Sequence, residues 1–269
     1  MSKRVIIVRR TCHEFANKLW SDMAIYAYAF MVKAKVLNLA VFETGPLAPV
    51  HTFVAHIFGL RGAPAQYTFL PPTTPLQGKF TQHNNLYFFG WLFRNPEGFN
   101  RYRTELLERF GPSLNEEAHL QKKMAHISQG RTLIGVHIRL NPFPYFPNGE
   151  FLIPPERVRE IVVEYLHEHR LSSDQVALVL VTDQPASDLF RDFTICTTGP
   201  NERTNFFLLS KCSVIIGTNT TFCNLAAWFG DVAHIVTTRM PIDWEYYKSQ
   251  GRYFENKYAT FTFGNPGQE

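Results

Sequence analysis

Two kinds of apolar run alternate along the chain. Short continuous runs rich in β-branched or aromatic residues cover residues 4–8, 36–42, 85–91, 132–138, 176–181, 194–196, 213–217 and 234–237. Their length and largely apolar content suit strands of a buried parallel sheet. Between them apolar residues recur at helical spacing. Leu19, Met23, Tyr26, Ala27, Phe30 and Ala34 predict a helix over about 19–35, and Val158, Ile161, Val162, Tyr165 and Leu166 line one face of another that opens at Pro155. Asn95-Pro96-Glu97 opens a helix stopped by Gly111-Pro112, with Arg101, Arg103, Glu105, Glu108 and Arg109 on its solvated face. Shorter helices are expected over 204–210 and 223–229, and one over 51–58 within the proline-punctuated stretch 45–78, which is expected to line a substrate cleft.

The strand–helix rhythm runs twice, separated by a polar, helix-tolerant connector at 113–130. It predicts two α/β domains, 1–125 and 126–269, with right-handed crossovers. The aromatic end of the chain, with Trp244, Tyr246, Tyr247, Tyr253, Phe254 and Tyr258, is expected to close the second domain.

One strand stands out for what it delivers. Thr132-Leu133-Ile134-Gly135-Val136-His137-Ile138-Arg139-Leu140-Asn141-Pro142 drives an apolar run into a His and an Arg before Pro142 ends any pairing. His137 and Arg139 share parity and so point to one side of the strand end. Ligands of open α/β sheets sit beyond the carboxyl ends of strands. Two readings stay open on these residues alone: a grip on an anionic ligand, or a core histidine beside an arginine paired to a local carboxylate. The turn Thr218-Asn219-Thr220-Thr221-Phe222 leaves a similar choice, because its side chains can cap the next helix while the free N–H groups of that helix can bind phosphate.

Composition narrows the classes. With 45% apolar and 19% charged residues over 269 positions, the chain is globular. A net charge of +4, with no basic run longer than pairs such as Lys3-Arg4 and Arg9-Arg10, agrees with an anionic small ligand and disfavours nucleic acid. The apolar stretch 23–41 is interrupted by Lys33 and Lys35, and the start lacks the apolar segment of a signal peptide, so a cytoplasmic protein without a membrane segment is expected. Cys12, Cys196, Cys212 and Cys223 form no CxxC pair, and the histidines lack ligand spacing, so structural cysteines and no metal are expected. A hydrolase or P-loop enzyme is disfavoured, for there is no nucleophile elbow and no Walker loop.

Several pieces in succession resemble one family. Asn17-Lys18-Leu19-Trp20 followed by Tyr26-Ala27-Tyr28-Ala29 is similar to the opening helix of α-1,2-fucosyltransferases and their bacterial relatives, and Tyr87-Phe88-Phe89-Gly90-Trp91-Leu92-Phe93 to their GYWQS segment. His137-Ile138-Arg139 stands where their His-x-Arg motif stands, Thr182-Asp183 resembles their Ser-Asp strand end, and Leu208-Leu209-Ser210-Lys211-Cys212 through Asn219-Thr220-Thr221-Phe222 to Ala226-Ala227-Trp228 resembles their last conserved block. Leu140, Asn141 and Pro142 depart from the Arg-Gly-Asp that many members carry, while Asn141 is tolerated in the protein-O-fucosyl and α-1,6-fucosyl relatives.

The resemblance implies an α/β fold of the GT-B type, two Rossmann-like domains facing across a cleft, with the donor on the C-terminal half and the acceptor on the N-terminal half. It implies an inverting, metal-independent transfer of fucose from GDP-fucose to a glycan hydroxyl, with no cofactor. Arg139 would meet the donor pyrophosphate and His137 would position Arg139 or the donor. Asp183 would lie at the base or ribose, and Asn219, Thr220, Thr221 and Phe222, with Asn17 and Asn141, would complete substrate binding. The motif singles out no catalytic base; Asp22, Glu43 and Glu150 are candidates. The lost Arg and acid after Arg139 motivate a second class, a nucleotide-sugar- or glycan-binding protein of the same fold with impaired catalysis.

Overall fold

The computed structural model describes residues 4–9, 14–42, 66–67, 85–89, 95–140, 152–183 and 186–249. The expected helix over 51–58, the loop holding Asn141 and Glu150, Glu43, Cys12 and the aromatic residues beyond 249 lie outside the described residues. The chain divides into two compact units, Met1–Gly111 and Pro112–Glu269.

The first unit carries β1 (Arg4–Arg9), α1 (Phe15–Met31), β2 (Lys35–Asn38), β3 (Gln66–Tyr67), β4 (Asn85–Phe89), α2 (Pro96–Arg101) and α3 (Arg103–Phe110). Its sheet runs β2-β1-β4-β3 with every pair parallel. Helix α1 is almost wholly buried, with Trp20, Met23, Ala24, Ala27 and Tyr28 in the core. Two expectations are corrected here. The buried strand expected over 36–42 shortens to β2, which alternates between exposed and half-buried because it is the sheet edge; the Asn38 side chain then accepts from the Ala40 N–H at 3.0 Å and the chain tightens into a 3-10 turn. The single helix expected up to Phe110 breaks at Tyr102, whose φ of −115° leaves the helical range. Asn95 starts α2, its Oδ1 accepting from Gly98 N at 3.0 Å while its Nδ2 donates to Ala24 O at 3.2 Å and pins the pair to α1.

The second unit carries α4 (Leu114–Ser128), β5 (Thr132–Ile138), α5 (Pro155–Glu168), β6 (Val176–Thr182), β7 (Thr194–Thr197), α6 (Glu202–Ser210), β8 (Val214–Gly217), α7 (Thr221–Gly230), β9 (Ala233–Val236) and α8 (Trp244–Ser249). Its sheet is parallel throughout in the order β7-β6-β5-β8-β9. Counted from its own first strand this is the 3-2-1-4-5 order of a doubly wound dinucleotide fold. Alternation along β5 divides the core. Ile134, Val136 and Ile138 join the cluster that holds Val158, Ile161 and Val162 of α5, whereas a Cβ on Gly135 would meet Leu209 and Cys212 on the other face.

The polar connector is helix α4 of this unit. Ser113 and Glu116 form a capping box, Ser113 Oγ accepting from Glu116 N at 3.3 Å and Glu116 Oε2 accepting from Ser113 N at 2.8 Å. Only Leu120 and Ile127 of α4 are buried, so an apolar stripe is almost missing from its sequence. Ion pairs hold it instead: Arg203 bridges both oxygens of Glu116 at 2.7 and 3.2 Å, and Lys211 meets Glu117 at 2.6 Å.

Candidate functional site

In the second sheet the chain leaves β5 for β6 on one side and returns to β8 on the other. Between β5 and β8 the strand order reverses, and in open α/β sheets ligands bind outside the carboxyl ends at such a switch point. His137 pairs in register with Gly217, so the residues after each strand, Arg139 and Leu140 on one side and Thr218, Asn219 and Thr220 on the other, share this edge. A Cβ on Gly217 would lie 2.8 Å from Cys223 Sγ and 3.0 Å from His137 Cβ, which explains the glycine that ends β8: it lets the first turn of α7 come close to β5.

His137 is buried in this packing. Its Nδ1 lies 3.3 Å from Thr218 Oγ1, and its ring stacks on Phe222 at 5.2 Å with an interplanar angle of 18°. Loss of water, and then the charges of Arg139 and His234, push its pKa down to about 3, so the imidazole is neutral at physiological pH. Burial raises the Cys223 thiol, while the Thr220 hydrogen bond and the Arg139 charge oppose that rise. The guanidinium of Arg139 therefore acts on both His137 and the first turn of α7.

Thr220 caps α7, its Oγ1 accepting from Cys223 N at 3.3 Å. The N–H groups of Thr221 and Phe222, one and two residues into the helix, have no intrahelical carbonyl to donate to and lie at the positive end of the helix dipole. A half-exposed cation and a helix N-terminus at one switch point make a place for an anionic group.

The other expected residues are distributed as follows. Asp183 is exposed after β6, and both of its carboxylate oxygens accept from Leu140 N, at 3.0 and 3.2 Å, tying the turn after β5 to the end of β6. Asn219 is half-buried, with its Oδ1 3.1 Å from Asn224 Nδ2. Asn17 belongs to the first unit, in the first turn of α1, and donates to Glu14 at 2.7 Å. Asp22 is buried in α1 and accepts from Asn38 Nδ2 at 3.3 Å. Among the described residues no group of three or more His, Cys, Asp or Glu could hold a metal ion, and no helix is long and apolar enough to cross a membrane. Asn224 and His234 leave no signal in the sequence: His234 is the one polar residue of β9, Asn224 lies inside the apolar body of α7, and the contact between them shows their use.

No protein-family model matches the sequence, and no curated protein does either. Solved structures do match. A mutant of Arabidopsis thaliana FUT1 in complex with GDP superposes with a TM-score of 0.55 at 12% identity, over 87% of this chain and 70% of that one. The α-1,6-fucosyltransferase NodZ of Bradyrhizobium, co-crystallised with GDP, gives 0.51 at 14% identity, over 87% of this chain and 93% of its own. POFUT1 in complex with GDP-fucose gives 0.50 at 10% identity, over 88% and 98%. The chain has the fold of these fucosyltransferases. The α/β class expected from the sequence agrees with this likeness, which runs across both units.

Proposed function

We propose that the chain is an inverting, metal-independent glycosyltransferase that moves fucose from GDP-fucose to a hydroxyl of a glycan acceptor, with the donor on the second unit. The observation that supports this reading is that Arg139, just after β5, and the N-terminus of α7, just after β8, share the switch point of the second sheet, in a fold whose solved examples include complexes with GDP and with GDP-fucose.

In the transfer the acceptor oxygen forms a bond to the anomeric carbon as the bond from that carbon to the β-phosphate oxygen breaks. The hydroxyl proton passes to a base and the electron pair leaves with GDP. Negative charge grows on the departing diphosphate. Arg139 neutralises it with a planar donor fork, and the N–H groups of Thr221 and Phe222 add fixed dipoles aimed at the same oxygens. His137 acts as a neutral prop: fixed by Thr218 and Phe222, it holds the β5 end that carries Arg139. Asp183 holds the next residue, Leu140, and so limits where Arg139 can move.

Titration calorimetry with GDP and GDP-fucose tests the donor. The wild type is expected to bind both, and Arg139→Ala to weaken both by roughly 30-fold or more, as loss of a charge-assisted phosphate contact costs about 2 kcal/mol or more. Absence of heat and of competition at saturating nucleotide would end the proposal. Release of GDP from GDP-fucose by the wild type, lost in Arg139→Ala, separates an enzyme from a binding protein of the same fold.

A further inference from the structure

β9 ends the second sheet, yet it is not built like an edge. The strand at the opposite edge, β7, exposes Thr194 and Thr197 and leaves Ile195 and Cys196 half-buried. β9 reads Ala-His-Ile-Val and is buried from His234 to Val236, with Ile235 2% and Val236 8% exposed. An apolar edge strand whose outer hydrogen-bonding groups come free is a template for pairing with another chain.

Residues 238–249 cover that edge. The Thr237 N–H donates inward to the carbonyl oxygen of Gly217 at the end of β8, at 2.9 Å. The N–H of Val236, one residue earlier, therefore turns outward, and the Tyr247 hydroxyl oxygen accepts it at 3.0 Å. The covering segment is fastened along one side of α5. Arg157 donates to the carbonyl oxygens of Thr238 and Met240 at 3.2 and 3.1 Å and meets Glu164 at 2.7 Å. Glu164 also accepts from Trp244 Nε1 at 3.3 Å, and Glu168 pairs with Lys248 at 2.8 Å. Glu164 and Glu168 on α5, and Trp244 and Lys248 on α8, are each one turn apart, so the two helices meet in a register that brings Tyr247 to β9. Trp244 and Tyr247 also pack against the apolar cluster that holds Ile235.

We propose that residues 238–249 are a strap that occupies the pairing side of β9 and keeps the chain from joining a second copy of itself there. With the strap lifted, β9 of one copy pairs with β9 of another about a two-fold axis, which sets the strands antiparallel. A second copy is the fitting occupant because it offers the same outward backbone groups and the same apolar Ile235 and Val236 to be covered again. The strap is a property of the second unit alone and does not depend on the identity of the sugar donor.

Two measurements on the full-length chain test this. Tyr247→Phe keeps the ring and removes the acceptor. Amide exchange read by NMR should then show Val236 exchanging about fivefold faster or more, while Thr237, which donates to β8, stays within about twofold of the wild type. An unmoved Val236 amide overturns the role of the hydroxyl, since a ring that merely packs would leave it unmoved. Trp244→Ala with Lys248→Ala unfastens α8, and light scattering should show the mass of this double variant rising with concentration to twice that of the wild type. Adding Val236→Pro removes the outward donor without breaking a bond to β8, and should restore the wild-type mass. A double variant that stays at the wild-type mass, or a larger species that survives Val236→Pro, overturns the proposal. Should the double variant lose its fold, Tyr247→Phe decides the case through the Val236 amide.

Discussion

His137 and His234 lie against the same carboxyl edge with their rings stripped of water, and burial as the leading cause pushes them down to about 3 and about 4 from an ordinary 6.5. The sign of the consequence follows from where protons bind. Below 6.5 the unfolded chain takes up a proton on each histidine, whereas the folded chain stays neutral until far lower. The contribution of each ring is therefore whole above that value and is lost as pH falls toward the folded values, at about 1.4 kcal/mol per pH unit per histidine once the unfolded rings are fully charged. Urea unfolding at pH 7, 6 and 5 should show stability falling with a slope that approaches ~2.7 kcal/mol per unit, in a window above the range where ordinary carboxylates titrate. His137→Gln should remove about half of that slope; an unchanged slope would show that His137 carries a proton in the fold. At this scale the sequence reveals His137 and Arg139, because they interrupt an apolar run at its end. It does not reveal Asn224 or His234, because one polar residue inside a buried helix or strand leaves no periodic trace and its partner is many residues away or in another element.

Whole elements were legible wherever an apolar stripe drives them. The face Val158, Ile161, Val162, Tyr165 and Leu166 of α5 is buried as its spacing implies, and β5 and β6 are buried along nearly all of their length. Legibility fails where something other than apolar burial decides. An edge position makes β2 half-exposed, and α4 is held to α6 by charges that sequence periodicity does not show. Glu116 sits at the centre of that helix contact: the Arg203 hydrogen bond first, and then the Ser113 backbone, hold its carboxyl down at about 2. Both partners are about two-fifths exposed, 38% and 42%, so solvent screens the ion pair and the cap contributes a comparable share. Glu116→Ala, which removes cap and pair together, is expected to cost about 1–2 kcal/mol in urea unfolding. Glu116→Gln can still accept from the Ser113 N–H and should cost less than half as much. Equal losses in the two variants would assign the whole effect to the charge.

For the molecule as a whole, the alternation of strands and helices reads as two α/β halves, and the parallel 3-2-1-4-5 order of the second sheet follows once β5 is the first strand of its unit. The sequence could not locate the switch point before the strand order was known, since β5 and β8 are separated by two intervening strands and touch only in the sheet. That placement makes a prediction about where nucleotide binding is felt. A ligand that binds only the folded state stabilises it by RT ln(1 + [L]/Kd), about 2.7 kcal/mol at a hundredfold excess over Kd, which is roughly a hundredfold slowing of amide exchange through the openings that release it. With GDP held by Arg139 and the first turn of α7, amides of β5, β8 and α7 should slow toward that limit. Amides of α1, in the first unit, should change by far less, because the proposed nucleotide contacts all lie in the second unit. Hydrogen exchange followed by peptide mass spectrometry, with and without GDP, reads both regions in one experiment. Protection confined to α1, with β5 and α7 unchanged, would move the nucleotide to the first unit and remove Arg139 from the pyrophosphate.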